Sequence, residues 1–187
     1  MAASRDARGT QARARIAELA ARIIAEHGLH DYALAKRKAA RQLGLSDGHG
    51  MPSNEEVDAA LLERQSLFEP EEQVAMLDRL RRQAMEVMQV FERFRPVLTG
   101  GVASGAVSEH SLIELDIPQD ASKDFEQFLI NRNIGYKVQD RAARMAYLIY
   151  GEPADILVRM VPLETRHGHA IHLSLERLNK LLAELAS

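Results

Sequence analysis

Cysteine is absent from this chain. That excludes a disulfide framework, a thiolate zinc site and a cysteine nucleophile, whatever the fold. Long apolar runs are missing too, since nothing approaches the ~18 consecutive residues a membrane span requires. The stretch from Met1 to Arg15 is basic but lacks the apolar core of a signal peptide. The expectation is a cytoplasmic protein with no membrane partner. A large excess of one charge is also lacking. A formal net charge of −3 offers no general attraction to nucleic acid, so any such binding would need a local patch. What is present is ordinary globular composition, 46% hydrophobic and 27% charged, which argues against disorder. A chain of 187 residues suffices for one sizeable domain or two small ones.

The first half reads as helical. Ile16, Leu19, Ile23 and Ile24 recur at helical spacing, with Gly28 as the stop. A second helix spans Asp31 to Leu43, with Tyr32, Ala35, Ala39 and Leu43 inward and Lys36, Arg37, Lys38 and Arg41 mostly outward, and Gly44 ends it. Ser53 to Glu56 spells a capping box that opens a third helix, with Val57, Leu61 and Phe68 inward. Pro70 suits the first position of a fourth, whose apolar face runs Val74, Leu77, Leu80, Ala84, Val87, Phe91 and Phe94 until Pro96 stops it. Met76, Met85 and Met88 on that helix fit packing better than a cofactor box.

Past Pro96 the pattern shifts to short β-like runs, placing the boundary between a helical domain, 1–95, and a core, 96–187. Val97–Thr99 is a short strand. Ser111 to Ile117 alternates, with Leu112, Glu114 and Asp116 on one face and Ile113, Leu115 and Ile117 on the other, and the aliphatic face must be buried. Asp120 is placed to cap a helix carrying Phe125, Phe128 and Leu129. Met145–Tyr150 and Ala154–Val161 form a hairpin through Gly151-Glu152-Pro153. Ser174 caps a last helix bearing Leu175, Leu178, Leu182 and Leu185. The expected class is therefore α+β, a helical N-terminal domain before a small mixed sheet with flanking helices.

The stretch from Gly100-Gly101 through Ser104-Gly105 to Glu114-Leu115-Asp116-Ile117 joins a glycine pair, a short helical turn and a strand with alternating carboxylates. Glycines ahead of a helical turn let backbone N–H groups approach an anion. Carboxylates two apart on a strand share a face, and a third on a neighbouring strand would complete an oxygen cage for Mg²⁺. Asp155, in Ala154-Asp155-Ile156-Leu157-Val158, is the candidate third. This order resembles the polymerase-β-like nucleotidyltransferase superfamily over roughly Phe94 to Val161. The whole chain resembles short bacterial nucleotidyltransferase-like proteins, some of which carry a name borrowed from UDP-N-acetylmuramate–alanine ligase. Ligase activity itself is rejected, because the chain has no G-x-x-x-x-G-K-[ST] loop.

The resemblance implies metal-dependent transfer of a nucleoside monophosphate from an NTP to an acceptor hydroxyl on RNA, protein or a small molecule. It implies Mg²⁺ or Mn²⁺ on Glu114, Asp116 and Asp155, and nucleotide phosphates against Gly100, Gly101 and Ser104. One register of the family pattern puts the first metal carboxylate at Leu112, which cannot ligate. A register two residues later uses Glu114 and Asp116 and preserves strand parity. The first register favours a catalytically degenerate relative that binds a nucleotide or a protein partner. An amphipathic strand beside a glycine turn would give the same residues with no site at all.

Two further patterns have bland readings beside sharper ones. His167, His169 and His172 have a spacing that a metal would accept, but no cysteine or neighbouring carboxylate pair supports one, and a surface turn is the better account. The basic run on the second helix, together with Arg5, Arg8, Arg13 and Arg15, would suit an RNA end or a nucleotide phosphate, or be a solvated outer face. The loop before Ser53 is too long for a helix-turn-helix.

Overall fold

The computed structural model describes residues 2–27, 31–45, 50–68, 70–141, 144–162 and 171–185. Among them are seven α-helices and five strands: α1 Ala2–His27, α2 Tyr32–Gln42, α3 Asn54–Phe68, α4 Pro70–Val90, β1 Val97–Thr99, α5 Gly100–Ser104, β2 Ile113–Pro118, α6 Ser122–Asn131, β3 Tyr136–Arg141, β4 Arg144–Ile149, β5 Ile156–Val161 and α7 Leu175–Leu185. The expected α+β class, with a helical region ahead of a mixed sheet, is what the chain adopts. No described helix is long and apolar enough to cross a membrane.

Two compact units result, one of Met1–Gln73 with Ala106–Ser111 and one of Val74–Gly105 with Leu112–Ser187. This differs from a boundary at 95/96, because α4 from Val74 onward belongs with the sheet. Its Gln83 hydrogen-bonds the Ala154 backbone, and its final turn leads into Phe91, which meets Phe125 and Phe128 edge-on.

In the helical unit, Ile16, Ala20, Ile23 and Ile24 of α1 pack in one cluster with Ala35, Ala39 and Ala40 of α2 and Val57 and Leu61 of α3. The three buried alanines give α2 a small-residue face that allows close approach. Asp31 caps α2 by accepting the Leu34 N–H at 2.9 Å, and Gly44 stops it at φ +69°. The capping box forms as expected. The Glu56 N–H donates to the Ser53 hydroxyl at 3.2 Å, and the Ser53 N–H donates to the Glu56 carboxylate at 2.6 Å. Gly28, the expected stop of α1, lies outside the described residues.

The sheet has the order β1-β2-β5-β4-β3. β1 is antiparallel to β2, β2 parallel to β5, and β5-β4-β3 antiparallel, so the expected β4–β5 hairpin is present. One sheet face carries Leu98, Leu115, Val158 and Tyr147 in register, all fully buried. Phe91, Phe94, Phe125 and Phe128 form an edge-to-face cluster that reaches Tyr147 through Phe125 at 5.5 Å. Burying each such ring is worth about 1.5–3 kcal/mol, so this layer is a substantial part of a core that it shares with the buried aliphatic residues.

Three local expectations are corrected. Asp120 does not cap α6; it sits in a 3₁₀ turn, Gln119–Ala121, and α6 starts without a side-chain cap. Val74 is 67% exposed rather than inward, because the buried face of α4 begins at Leu80. Lys36 is only partly exposed, unlike Arg37, Lys38 and Arg41. It donates to the Pro52 carbonyl and to Asn54 Oδ1, and burial lowers its pKa against the pull of Glu55 and Glu56.

Candidate functional site

β2 and β5 run parallel with Glu114 opposite Leu157 and Asp116 opposite Arg159. β1 adds Thr99 opposite Glu114 and Val97 opposite Asp116. Strand parity therefore brings Thr99, Glu114, Asp116 and Arg159 to one face, with Arg159 beside Asp116 and diagonal to Glu114.

The guanidinium joins all three partners. Nε donates to Asp116 Oδ1 at 2.8 Å, Nη1 to Glu114 Oε2 at 2.7 Å and Nη2 to the Thr99 hydroxyl at 2.6 Å. The Thr99 hydroxyl in turn donates to the Glu114 backbone carbonyl at 3.3 Å. Asp116 is fully buried, and the side chains of Glu114 and Arg159 are only 17% and 27% exposed. Burial pushes the Arg159 pKa down, but Glu114 and Asp116 outweigh it and hold the guanidinium above its ordinary value. The carboxylate face is thus a charged layer sealed by an arginine, and not the half-solvated face expected of an amphipathic strand.

The glycine turn is occupied from within. Gly100 has φ +67°, and a Cβ there would lie 2.6 Å from Glu114 Oε1 and 2.8 Å from its carboxyl carbon. The space opened by the missing side chain holds the Glu114 carboxylate. Ser104, expected on a phosphate, turns its hydroxyl back to the Gly101 carbonyl at 3.3 Å. Gly101 also accepts the Gly105 N–H at 2.8 Å. The last carbonyls of α5 would otherwise lack helical partners, and Arg81 of α4 donates to Val102 and Ala103 at 3.2 and 3.3 Å. Burial lowers the pKa of that arginine.

Asp155 lies just before β5. Its backbone carbonyl accepts the Ile113 N–H at 3.0 Å, and its Oδ1 accepts the Gly151 N–H at 3.1 Å. Gln83 fixes the same loop through both polar groups of Ala154, at 2.7 and 3.1 Å. The Asp155 side chain thus closes its own turn. Among the described residues no group of three or more His, Asp or Glu side chains is disposed to hold a metal ion.

An Mg²⁺ site on Glu114, Asp116 and Asp155 would need carboxylate oxygens converging at about 2.0–2.1 Å from one ion. Here hydrogen bonds from Arg159 span the first two and a backbone amide holds the third, so this arrangement does not fit that cation. Arg159 is the residue that reading the strand pattern missed. An arginine inside the aliphatic run Ile156-Leu157-Val158-Arg159-Met160-Val161 was the available signal, since a buried cation demands a buried anion.

Other expected features fall elsewhere. His167 and His169 lie outside the described residues. Arg13 is not free for a ligand, because it grips the Glu56 carboxylate at 2.6–2.8 Å. The side chains of Arg5 and Arg8 are outside those described. A cleft of about 600 Å³ lies between Arg95, Pro96 and Val97 and the start of α7 at Ser174, and none of the expected site residues lines it. No family model, no curated protein and no solved structure matches this chain.

Proposed function

We propose that this chain is a nucleotidyltransferase-like binding module in which a guanidinium holds the place that the resemblance assigns to a divalent cation. The observation that carries this reading is the threefold engagement of Arg159 with Asp116, Glu114 and Thr99. Leu112, at the first carboxylate position in one register of the family pattern, points the same way. A fixed organic cation neutralises the strand's carboxylates without ligand exchange, and metal-assisted transfer depends on open coordination positions. The consequence is retention of a fold suited to nucleotide or protein binding without NTP-dependent transfer.

A second reading keeps the transferase. It is favoured by the shared face of Glu114 and Asp116 and by the closeness of Glu114 to Gly100. It needs Arg159 displaced from both carboxylates. Incubation with labelled NTPs, Mg²⁺ or Mn²⁺ and mixed RNA and protein acceptors separates the two. The binding module gives no labelled acceptor with either metal, and calorimetry gives nucleotide affinities unchanged by Mg²⁺. Metal-dependent labelling that disappears in Asp155→Ala would restore the transferase.

A further inference from the structure

The charge of the helical unit is strongly segregated along the chain. Residues 1–45 carry nine Lys or Arg against four Asp or Glu, whereas residues 46–73 carry one Arg against eight acidic residues. α2 is the extreme case, with Lys36, Arg37, Lys38 and Arg41 and no acidic residue in its length. Lys36 is accounted for by its bonds to Pro52 and Asn54. The other three are exposed, and among the described residues no ion pair involves them.

Ordinary surface helices intersperse the two signs, because like charges four apart repel. Arg37 and Arg41 have that spacing. The dipole at the C-terminus of α2 favours Arg41 in the last turn, but it does nothing for Arg37 or Lys38. The buried stripe Ala35, Ala39 and Ala40 fixes which way these cations face, since it turns the opposite side of α2 to solvent. The end of the helix continues the cationic surface. Leu43, its C-cap, lines a shallow cleft of about 320 Å³ with Arg15, Arg22 and Leu19 of α1 and Arg64 of α3. Glu18 borders that cleft, and Glu26 pairs with Arg22 and Arg64, so the three arginines there face two carboxylates and the α2 cations supply most of the positive excess.

We infer that the outer face of α2, from Arg37 through Lys38 and Arg41 to the Arg15 side of the cleft, binds the phosphodiester backbone of single-stranded nucleic acid. Guanidinium forks match phosphate oxygens bidentately, and three of the four cations are arginine. A membrane surface is a poorer occupant, because the exposed face of α2, Ala33, Arg37, Lys38, Arg41 and Gln42, has no large apolar side chain to insert. The contact reads phosphate and not base edges, so it is independent of sequence and steep in salt. The face lies wholly in the helical unit and does not depend on the chemistry of the sheet.

The test is fluorescence anisotropy of the full chain with labelled oligouridylate over a salt series, with oligothymidylate as the DNA arm. Binding is expected to weaken linearly on a log–log plot, by about 0.7 in slope for each phosphate neutralised. The triple variant Arg37→Glu, Lys38→Glu, Arg41→Glu is expected to lose at least about tenfold in affinity, and its slope is expected to fall by about 2. Arg37→Gln, Lys38→Gln, Arg41→Gln gives the same direction if charge reversal unfolds the helix, with circular dichroism confirming the fold. Arg177→Glu, Lys180→Glu on α7 is expected to leave binding unchanged. DNA binding as tightly as RNA means that the backbone alone is read; weaker DNA binding means that the 2′-hydroxyl contributes. No binding at low salt, binding unaffected by the α2 variants, or equal capture of polyglutamate or phosphatidylserine vesicles would overturn the inference.

Discussion

Two charged surfaces of this protein obey opposite rules. On the sheet, Asp116 is buried and Glu114 and Arg159 are largely so, and the guanidinium bonds one oxygen of each carboxylate, with Thr99 taking the remaining nitrogen. On α2, Arg37, Lys38 and Arg41 are exposed in a helix with no acidic residue. Charge that is buried and satisfied holds a structure together, because removing one partner strands the other in a poor dielectric. Charge of one sign left in water contributes little to folding and remains available to a partner of the other sign. By that comparison, the motif most suggestive of chemistry in the sequence is the more structural of the two surfaces.

The largest expected effect comes from breaking the buried layer. Arg159→Met leaves two carboxylates uncompensated, one of them fully buried, and is expected to lower unfolding free energy by about 3–5 kcal/mol in urea denaturation. Arg159→Lys should recover only part of this, because an ammonium cannot reproduce the fork. A loss below about 1 kcal/mol for Arg159→Met would mean the layer is not structural.

Gly100→Ala comes next. The added methyl meets a carboxylate pinned by Arg159, at a backbone angle that L residues rarely adopt, and a loss of about 1–3 kcal/mol is expected. Combining it with Glu114→Ala should remove the steric share and leave the backbone share, so the two losses will be less than additive in a double-mutant cycle. Full additivity would place the Glu114 carboxylate away from Gly100.

Gln83→Ala removes the clamp on Ala154 and is expected to cost about 1–3 kcal/mol, with faster amide exchange at Ala154 and Gly151. Unchanged exchange at those amides would show that the loop is held by other means.

The smallest effect belongs to the helical unit. Ser53→Ala should cost about 1 kcal/mol through loss of the α3 cap. Arg13 and the Ser53 amide hold the Glu56 pKa below its ordinary value. A depressed carboxylate adds stability that is complete above its unfolded value of about 4.3 and is lost as pH falls through the lower folded value. The stability difference between wild type and Glu56→Gln should therefore be constant at neutral pH and shrink below about pH 4. A difference that grows on acidification would contradict the assignment.

Much of this fold was legible in the chain. Asp31, Gly44, the Ser53–Glu56 box and Pro70 act within a turn of their own helix, so local chemistry dictated those boundaries. The alternation Ile113-Leu115-Ile117 and the β4–β5 hairpin could be read for the same reason. β3 escaped because it is an edge strand with Val138 46% exposed, so its run Tyr136-Lys137-Val138-Gln139 shows little burial pattern. Asp120 misled because its place is in a 3₁₀ turn ahead of α6, not at the helix start. The candidate site was legible in its parts and not in their pairing. Glu114, Asp116 and Gly100 do come together, but the residue that decides their chemistry lies 43 positions beyond Asp116. Only the register of two parallel strands brings it there.

Mn²⁺ titration followed by electron paramagnetic resonance tests the central claim most directly, since it reports free and bound ion without requiring a substrate. With Arg159 between Glu114 and Asp116, the wild-type protein is expected to leave added Mn²⁺ free, as Asp116→Asn does. Saturable binding of one Mn²⁺ per chain that Asp116→Asn abolishes would contradict the account and return the strand to metal chemistry.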